Sequence, residues 1–316
     1  MQWIANAEHE GMTVREFIKK NIRLSTKMLK YLKYRHDGIT VNGEHCTVRR
    51  QLRIGDVLSL SIDDTEAAES IEPIDLPIEI LYEDADLVVP AKPSNMPTHP
   101  SHSHHSDTVA NALAFRYAKQ GIPFVFRPIN RLDRDTSGLL LIARNKLAAG
   151  ALSEAMREGN IQKTYLAVLE GEDCPALGRI DRPMHRKPLS VIEREICAPD
   201  TPDAEAAITE YTVLARGNGA TLVRAMPITG RTHQLRVHFA SIGHPIVGDS
   251  LYGLSNGKLS RQALHAWQLT FPHPTAEEQI SLEAPLPSDL ETLIRQCFPH
   301  VNLKKQEEHD ERRKSE

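Results

Sequence analysis

The stretch "NRLDRDTSGLLLIAR", residues 130–144, places four charged side chains directly before an apolar run. The apolar residues Leu139 to Ile142 predict a buried strand, and Gly138 gives the backbone the freedom to enter that strand through a tight turn. Asp133 lies between Arg131 and Arg134, and neighbouring guanidinium groups favour the ionised form of a carboxyl group. The stretch therefore predicts either a solvated ion cluster at a turn or a carboxylate positioned for chemistry, as a nucleophile or as a stabiliser of positive charge on a sugar.

Length and composition are typical of a globular protein with more than one domain, with 316 residues of which 40% are hydrophobic and 25% charged. The sequence has no apolar run of about 20 residues, the length that spans a bilayer, and its first ten residues lack the features of a signal peptide. The four cysteines are scattered, without the spacing of a zinc site or of a disulfide framework. We therefore expect a cytoplasmic protein with no membrane partner, and a monomer by default.

Charge is distributed unevenly along the first quarter of the chain. The segment from Thr13 to Arg53 holds eleven Lys or Arg and three acidic residues, whereas Asp63 to Asp86 holds ten acidic residues and no basic one. Such asymmetry indicates a polyanionic partner for the N-terminal part, although lysines on helices are also common on solvated surfaces. We predict contacts with RNA or DNA for eight basic side chains: Arg15, Lys19, Lys27, Lys30, Lys33, Arg49, Arg50 and Arg53.

The same N-terminal part predicts two short helices and a small sheet. Thr13 has the spacing of a capping box, Ser25 is placed to cap a second helix, and "GITVNGEHCTV" contains an Asn-Gly hairpin turn. With "LRIGDVL", these features resemble the S-four RNA-binding domain over about residues 12–62. The resemblance implies structured RNA as the partner of a module at residues 1–62.

The rest of the chain predicts an α+β fold. An acidic linker with prolines is predicted at residues 63–76, a catalytic domain with a mixed or antiparallel sheet at 77–300, and a charged, disordered tail at 301–316. Strand-like and helical segments alternate irregularly through the catalytic domain, without a repeated β-α-β pattern. The fold prediction is thus an α+β catalytic domain preceded by a small α/β RNA-binding module.

A second group of candidate site residues lies in "ITGRTHQLRVHFASIGHPIVGDSLYG", residues 228–253. We predict a helix capped by Thr232 and ended by Gly243, with Arg231 just outside its positive end, where an anion would be stabilised. A lone arginine at a helix start is also common on surfaces. In "KTYLAVLEG", Tyr165 lies in an apolar strand, which is typical of a core tyrosine.

Taken together, these motifs resemble the RluA-type pseudouridine synthases. The family signature His-Arg-Leu-Asp-x-x-Thr-Ser-Gly is matched from residue 130, with Asn130 in place of the histidine, and "AKPSNMPTHP", "KTYLAVLEG", "GRTHQLRVH", "GHPIVGDSLYG" and "RQALHAWQLTFPHP" extend the resemblance over about residues 78–275. The resemblance implies that Asp133 is the catalytic aspartate, Tyr165 the active-site tyrosine and Arg231 the arginine that pairs with Asp133, while Leu235 packs beside the flipped base. Further substrate contacts are predicted for Arg131, Leu132, Thr136, His233 and Gln234.

The implied reaction explains the residue types. Converting uridine to pseudouridine breaks the N1–C1′ bond, rotates the uracil and rejoins it through C5, so we expect no cofactor and no metal. The target uridine must leave its base stack, at a cost on the order of a few kcal/mol. The basic N-terminal part is the expected source of the binding energy that offsets this cost.

Several alternatives stay open at this point. Family members with an S-four domain usually act on large-subunit ribosomal RNA, which we favour as the substrate, with transfer RNA as the alternative. "HPSHSHH", residues 99–105, together with Asp133 and Asp135, could instead ligate the metal of a hydrolase, which sensitivity to a chelator would reveal. A catalytically silent RNA-binding protein is the third interpretation, and turnover would exclude it.

Overall fold

The computed structural model describes residues 2–22, 24, 26–62, 71–101, 104–253 and 258–303, with only the backbone at 26 and 27. Residues 63–70 of the predicted linker and 304–316 of the predicted tail lie outside these ranges. Residues 2–62, the N-terminal segment, contain a four-stranded antiparallel sheet in the order β1-β4-β2-β3. Its strands are β1 (Gln2–Ile4), β2 (Ile39–Val41), β3 (Glu44–His45) and β4 (Val57–Leu60).

Local sequence signals explain the helices and the hairpin of this segment. Helix α1 (Val14–Phe17) begins after Thr13, whose hydroxyl accepts a hydrogen bond from the Glu16 N–H at 3.2 Å, and it continues as a π-helical turn to Ile22. Helix α2 spans Thr26–Lys33, and its predicted cap, Ser25, lies outside the described residues. Asn42 and Gly43 have φ angles of 54° and 82°, the left-handed values that a two-residue hairpin turn requires. Strand β1 is an element that the sequence did not predict.

The N-terminal segment has its own apolar core. Phe17, Leu32, Ile39 and Leu58 are buried in it, together with Leu147 from a helix of the remaining chain. Burial of these side chains supplies the free energy that holds two short helices against a small sheet. The shared Leu147 shows that the segment packs directly on the following part of the molecule.

An eleven-stranded sheet forms the centre of the remaining chain, in the order β11-β14-β15-β10-β16-β8-β6-β9-β7, with β17 beside β16 and β5 beside β6. Within the described ranges, β16 and β8 form its one parallel pair, which confirms the predicted mixed sheet. Its strands are β5 (Glu79–Glu83), β6 (Leu87–Lys92), β7 (Arg127–Pro128), β8 (Ser137–Leu139), β9 (Ile142–Ala143), β10 (Gln162–Glu170), β11 (Leu177–Asp181), β14 (Ile208–Gly217), β15 (Ala220–Pro227), β16 (Leu264–Pro272) and β17 (Gln279–Glu283). A separate two-stranded hairpin consists of β12 (Met184–Arg186) and β13 (Arg194–Ile196).

In the described part of the remaining chain, four α-helices accompany this sheet: α3 (Val109–Lys119), α4 (Lys146–Arg157), α5 (Gln234–Ser241) and α6 (Ser288–Cys297). The side chains of Thr108 and Asn145 cap the N-termini of α3 and α4. Among the residues that the structure describes, none forms a helix with the length and apolarity needed to cross a bilayer.

The apolar run of the opening motif forms two short strands rather than the single strand predicted over Leu139 to Ile142. The pairing breaks at Leu141, because its N–H donates to the side-chain Oδ1 of Asn130 at 2.7 Å instead of to a neighbouring strand. Gly138 has a φ of 112°, and a Cβ there would lie 2.1 Å from the Ala266 carbonyl oxygen. Only glycine therefore permits the close approach of β8 to β16.

Helix α5 begins later than predicted. Its N-cap is His233, in the left-handed conformation with a φ of 58°, so the prediction that Thr232 caps the helix is wrong. The Gln234 side chain holds the preceding loop, since its Oε1 accepts from the Arg231 N–H at 3.0 Å and from the Thr229 hydroxyl at 2.7 Å. These bonds hold the chain in a turn up to Gln234, and the helix starts there.

Candidate active site

Asp133 lies in the loop that leads into β8, and hydrogen bonds fix the backbone on both sides of it. The Leu132 carbonyl accepts from the Thr98 hydroxyl at 2.9 Å, and the Thr136 N–H donates to the Asp133 carbonyl at 3.1 Å. The Asp133 side chain is one-quarter exposed, whereas Leu132 is buried. A carboxylate that is fixed in position and still open to solvent is accessible to a substrate.

A buried arginine from α5 provides the charge partner of this carboxylate. Nη1 of Arg236 lies 3.3 Å from Oδ2 of Asp133. The same guanidinium binds Asp249 through two bonds of 2.7 and 2.8 Å. Burial alone would raise the pKa of Asp249, but the hydrogen bonds and charge of Arg236 lower it below its ordinary value. The cation beside Asp133 is thus held by a second, fully buried carboxylate.

Arg231, which the family resemblance paired with Asp133, contacts other groups. Its Nη1 lies 3.0 Å from Oε1 of Glu205, and its Nε donates to the Ala206 carbonyl at 3.0 Å. The predicted pairing is therefore wrong in this structure. Arg231 precedes α5 and lies against the loop before β14, whereas Arg236 lies inside the helix on the side that faces the Asp133 loop.

His233 and Tyr252 extend the polar site. Nε2 of His233 lies 3.9 Å from Oδ2 of Asp133, and its Nδ1 lies 2.8 Å from the Tyr252 hydroxyl. Burial lowers the pKa of His233, although the charge of Asp133 opposes this shift. The Arg236 guanidinium lies 5.1 Å from the centre of the Tyr252 ring, in cation–π range. A substrate contact by His233 stays a prediction, but the structure brings this residue to the site.

The apolar side of the site contains three predicted residues. Tyr165, Leu132 and Leu235 are buried in one continuous apolar cluster, which also includes Met96. Burial and the negative charge of Asp133 both raise the pKa of Tyr165, so its phenol is neutral at physiological pH. A flat apolar side chain next to an ionised carboxylate is suited to a nucleoside, whose base is apolar on its faces and whose sugar is polar.

The other predicted substrate contacts have different surroundings. Thr136 and Gln234 are buried, and their side chains are used internally: Gln262 donates to the Thr136 hydroxyl at 3.1 Å, and Gln234 donates to the Ile208 carbonyl at 2.9 Å. The structure therefore places these two residues behind the site instead of on its surface. Arg131 is exposed beside Leu132 and remains a candidate contact.

Sequence reasoning missed the role of Lys92, although its motif was part of the family resemblance. The buried ammonium donates to the carbonyl oxygens of Pro93, Met96 and Arg134, at 2.9, 2.7 and 2.7 Å. Burial lowers its pKa to about 7, against the opposing charge of Asp133. Because Arg134 directly follows the aspartate, Lys92 holds the loop that carries it.

Lys163 is a half-buried basic residue two positions before Tyr165 on β10, where the pairing with β16 shifts register between Thr164 and Tyr165. Its ammonium is close to Gly230, where an added Cβ would lie 3.6 Å from Nζ, and burial lowers its pKa. Lys163 thus places a cation beside the loop that leads into α5.

In the histidine-rich loop, residues 99–105, the structure shows a contact between a histidine and a carboxylate. His104 Nδ1 lies 2.6 Å from Oδ2 of Asp107, and His102 lies outside the described residues. Within the described ranges, no three His, Cys, Asp or Glu side chains are gathered in a way that could hold a metal ion.

The side chains predicted to bind RNA lie mostly on the surface of the N-terminal segment. Arg50 is half-buried, and the side chain of Lys27 is outside the described part of the chain. The exposed members are Arg15, Lys19, Lys30, Lys33, Arg49 and Arg53. Their exposure is compatible with phosphate contacts, which stay a prediction.

Comparison with known proteins identifies the family. A family model described as RNA pseudouridylate synthase matches residues 86–241. The chain is 37% identical over 284 residues to the uncharacterized RNA pseudouridine synthase YjbO of Bacillus subtilis, covering 90% of this chain and 99% of that one. It is 36% identical over 238 residues to ribosomal large subunit pseudouridine synthase D of Zymomonas mobilis, covering 71% and 74%. Human RNA pseudouridylate synthase domain containing 1 is a similar solved structure, with 29% identity, a TM-score of 0.60 and coverage of 77% and 97%.

The chain therefore belongs to the RNA pseudouridylate synthase family. It is an RNA pseudouridine synthase, an isomerase that acts on uridines of RNA. The prediction of a pseudouridine synthase is thereby confirmed. The resemblance of residues 12–62 to the S-four domain and the individual roles of the site residues stay predictions.

Proposed function

We propose that this protein converts specific uridines of large-subunit ribosomal RNA into pseudouridine, with Asp133 as the group that acts at C1′ of the target nucleotide. The ribosomal substrate is supported by several relatives that are named ribosomal large subunit pseudouridine synthase D, including those of Nitrosomonas europaea and Xanthomonas campestris at 32% and 34% identity. Transfer RNA is the alternative substrate, and mapping of the modified sites separates the two.

The observation that carries the assignment of Asp133 is its ion pair with Arg236, which Asp249 holds in place. The buried guanidinium places a fixed positive charge 3.3 Å from the carboxylate. The carboxylate can then attack C1′, stabilise positive charge on the ribose as the N1–C1′ bond breaks, or accept a proton. These roles are all compatible with the observed distance of 3.3 Å between Arg236 and Asp133.

The apolar cluster around Tyr165 and Leu235 receives the uracil in this proposal. The base must stay next to C1′ while it rotates from N1 to C5, and apolar walls exclude water that would otherwise capture a cationic sugar. The reaction is balanced without a cofactor, because C5 loses a proton and N1 gains one. The neutral phenol of Tyr165 supplies a flat surface rather than a base in its resting state.

The N-terminal segment binds the RNA in this proposal, through the exposed basic side chains named above. The protein acts in the cytoplasm as a monomer. Electrostatic contacts to phosphates supply affinity without sequence information, so the choice of uridine depends on the surface around Asp133.

The test is tritium release from RNA that carries tritium at C5 of its uridines, prepared from cells that lack the protein. We expect release by the wild type and none by Asp133→Asn, followed by mapping of the modified positions to large-subunit ribosomal RNA. Modified positions that all lie in transfer RNA would overturn the ribosomal assignment. Binding without release by the wild type would support a silent RNA-binding protein.

A further inference from the structure

The hairpin of β12 and β13 carries an unusual group of exposed apolar side chains at its tip. Leu189, Val191 and Ile192 are 109%, 82% and 55% exposed. Single exposed apolar residues are common, but three within four positions form a patch that calls for an explanation. We call residues Leu189 to Ile192 the apolar tip.

The apolar tip is held by an ordered turn. The Lys187 N–H donates to the Glu193 carbonyl at 3.1 Å, and the side chains of the same two residues form an ion pair at 2.5 Å. The Ser190 N–H donates to the Lys187 carbonyl at 3.1 Å, and the Ser190 hydroxyl accepts from the Glu193 N–H at 3.0 Å. Leu189 itself has a φ of 65°, a left-handed conformation that is costly for a branched side chain. The turn therefore has a strained backbone conformation and at the same time exposes apolar side chains to water.

The base of the hairpin is attached to the active site. The Arg194 N–H donates to the Tyr252 hydroxyl at 2.8 Å, and that hydroxyl also contacts His233, which neighbours Asp133. Met184 at the base packs with Val237 of α5, the helix that carries Arg236. The nearest residue of the tip, Ile192, is two positions from Arg194 and so at most roughly 7 Å away, at about 3.3 Å per residue. RNA whose uridine reaches Asp133 thus passes within reach of the tip.

Charge around the tip favours RNA over an apolar protein partner. Arg186 and Lys187 are exposed on one side of the turn, and Arg194 lies at its base. Lys187 is paired with Glu193, and Glu195 lies 3.0 Å from His185, so Arg186 and Arg194 supply the positive charge beside the tip. A tip with apolar side chains next to positive charges is complementary to RNA, in which stacked bases lie next to negatively charged phosphates.

We propose that the apolar tip is a wedge that enters the base stack of the RNA beside the target uridine and occupies the space that this uridine leaves. Apolar side chains inserted between bases offset part of the cost of unstacking, and the flanking cations hold the adjacent phosphates. The inference rests on the proposed action on RNA uridines and assigns the base-flipping step to a named element.

The test uses the full chain and a synthetic RNA hairpin around a mapped target uridine, with 2-aminopurine as the neighbouring base, whose fluorescence rises on unstacking. The variant Leu189→Ser/Val191→Ser removes the apolar surface of the tip. The matched control is Leu177→Ser, which changes a residue that is 73% exposed on the edge strand β11. Each protein is assayed for affinity, fluorescence at saturation and tritium release.

We expect the double variant to lose most of the fluorescence rise and about 10-fold or more in turnover, with affinity changed less than about 3-fold, because the wedge acts on flipping. A single-stranded RNA with an unstacked target should restore its turnover, and the control should match the wild type. Fluorescence and turnover equal to the wild type would overturn the proposal, as would a loss of affinity with a normal fluorescence rise in the bound RNA. Because the fluorescence rise reports unstacking in the bound RNA and needs no turnover, it tests the wedge separately from the proposed function. Absence of turnover by the wild type would count against the proposed function.

Discussion

Arg236 joins two carboxylates of different exposure: its Nη1 lies 3.3 Å from the one-quarter exposed Asp133, while Nε and Nη2 bind the fully buried Asp249 at 2.7 and 2.8 Å. Asp249 also accepts hydrogen bonds from the N–H groups of Leu251 and Tyr252. The arginine is thus positioned by the protein before any RNA binds. Such preorganised charge acts on a transition state without a cost of reorganisation.

The first prediction separates the two arginines of "GRTHQLR". Arg236→Gln should lower turnover about 100-fold or more, because it removes the fixed charge beside Asp133. Arg231→Gln should lower it less than about 3-fold, because this arginine forms a partly exposed ion pair with Glu205, a kind of contact that contributes little. Initial rates of tritium release with saturating RNA compare the two variants.

Folding must be controlled in that comparison, since Arg236→Gln leaves the buried charge of Asp249 unpaired, at a cost of about 3–5 kcal/mol. Arg236→Gln/Asp249→Asn removes both charges and should recover much of the stability without recovering turnover. Turnover restored together with stability in the double variant would show that Arg236 acts only in folding. Equal losses for Arg231→Gln and Arg236→Gln would contradict the assignment altogether.

Local signals in the sequence predicted part of the fold and the loop of Asp133. The capping box at Thr13 and the Asn-Gly turn depend on neighbours within four positions, and Asp133 lies in a motif that departs from the family signature only at Asn130. The arginine partner was misassigned for a physical reason. Which of two arginines five residues apart faces Asp133 depends on where α5 starts, and that start depends on the left-handed His233.

Features that depend on distant contacts were not predictable. Lys92 reaches the Arg134 carbonyl across 42 positions, and β1 pairs with β4 across more than fifty. The side chain of Asn130 accepts the hydrogen bond of the Leu141 N–H, eleven residues further on, and this contact divides the predicted strand into two. These contacts leave no periodic pattern in the sequence, because the groups that they join become neighbours only in the folded sheet.

Lys92 gives the second prediction, a pH-dependent stability. Its pKa falls from 10.5 to about 7 on folding, so between these values the unfolded state binds more protons and stability rises with pH. Below about pH 7 both states are protonated, the cost of the buried ammonium is fully present, and this group no longer changes the stability with pH. The difference in unfolding free energy between the wild type and Lys92→Met should therefore grow from about pH 7 to pH 9.5, as measured with urea. Lys30→Met, at an exposed position, is the control and should show a constant difference.

The third prediction concerns Asn130, where the family signature has histidine. Asn130→Leu leaves the buried N–H of Leu141 without its acceptor, which should cost about 1–3 kcal/mol of stability. Asn130→His should cost less than about 1 kcal/mol, because an imidazole nitrogen can accept the same bond. Urea unfolding of both variants, with tritium release as a check, measures this. If Asn130→His were as unstable as Asn130→Leu, the side chain would act by its shape and not as an acceptor.

Tyr165 gives the fourth prediction. Because burial and Asp133 raise its pKa, no phenolate forms near neutral pH, and the ring acts as a surface for the base. The pH–rate profiles of the wild type and of Tyr165→Phe should therefore run parallel between about pH 7 and 9.5, with rates within about 10-fold. Tyr165→Ala should lose far more, since the flat wall is removed. A rise of the wild-type rate near pH 9 that Tyr165→Phe abolishes would instead identify the phenolate as a base.

The last prediction tests whether the N-terminal segment binds RNA electrostatically. Lys30 and Lys33 are exposed on the same helix, α2, and each phosphate contact contributes about −0.7 to −0.9 to the slope of log affinity against log salt. Lys30→Ala/Lys33→Ala should therefore weaken binding at low salt and make this slope about 1.4 to 1.8 units shallower. Turnover at saturating RNA should stay unchanged, because both residues belong to the N-terminal segment, whereas Asp133 contacts Arg236 and His233 of the remaining chain. Lys119→Ala/Lys146→Ala, which removes the same charge from α3 and the start of α4, is the control. If both pairs changed the slope equally, affinity would come from the net charge of the whole protein, and the N-terminal segment would have no special part in RNA binding.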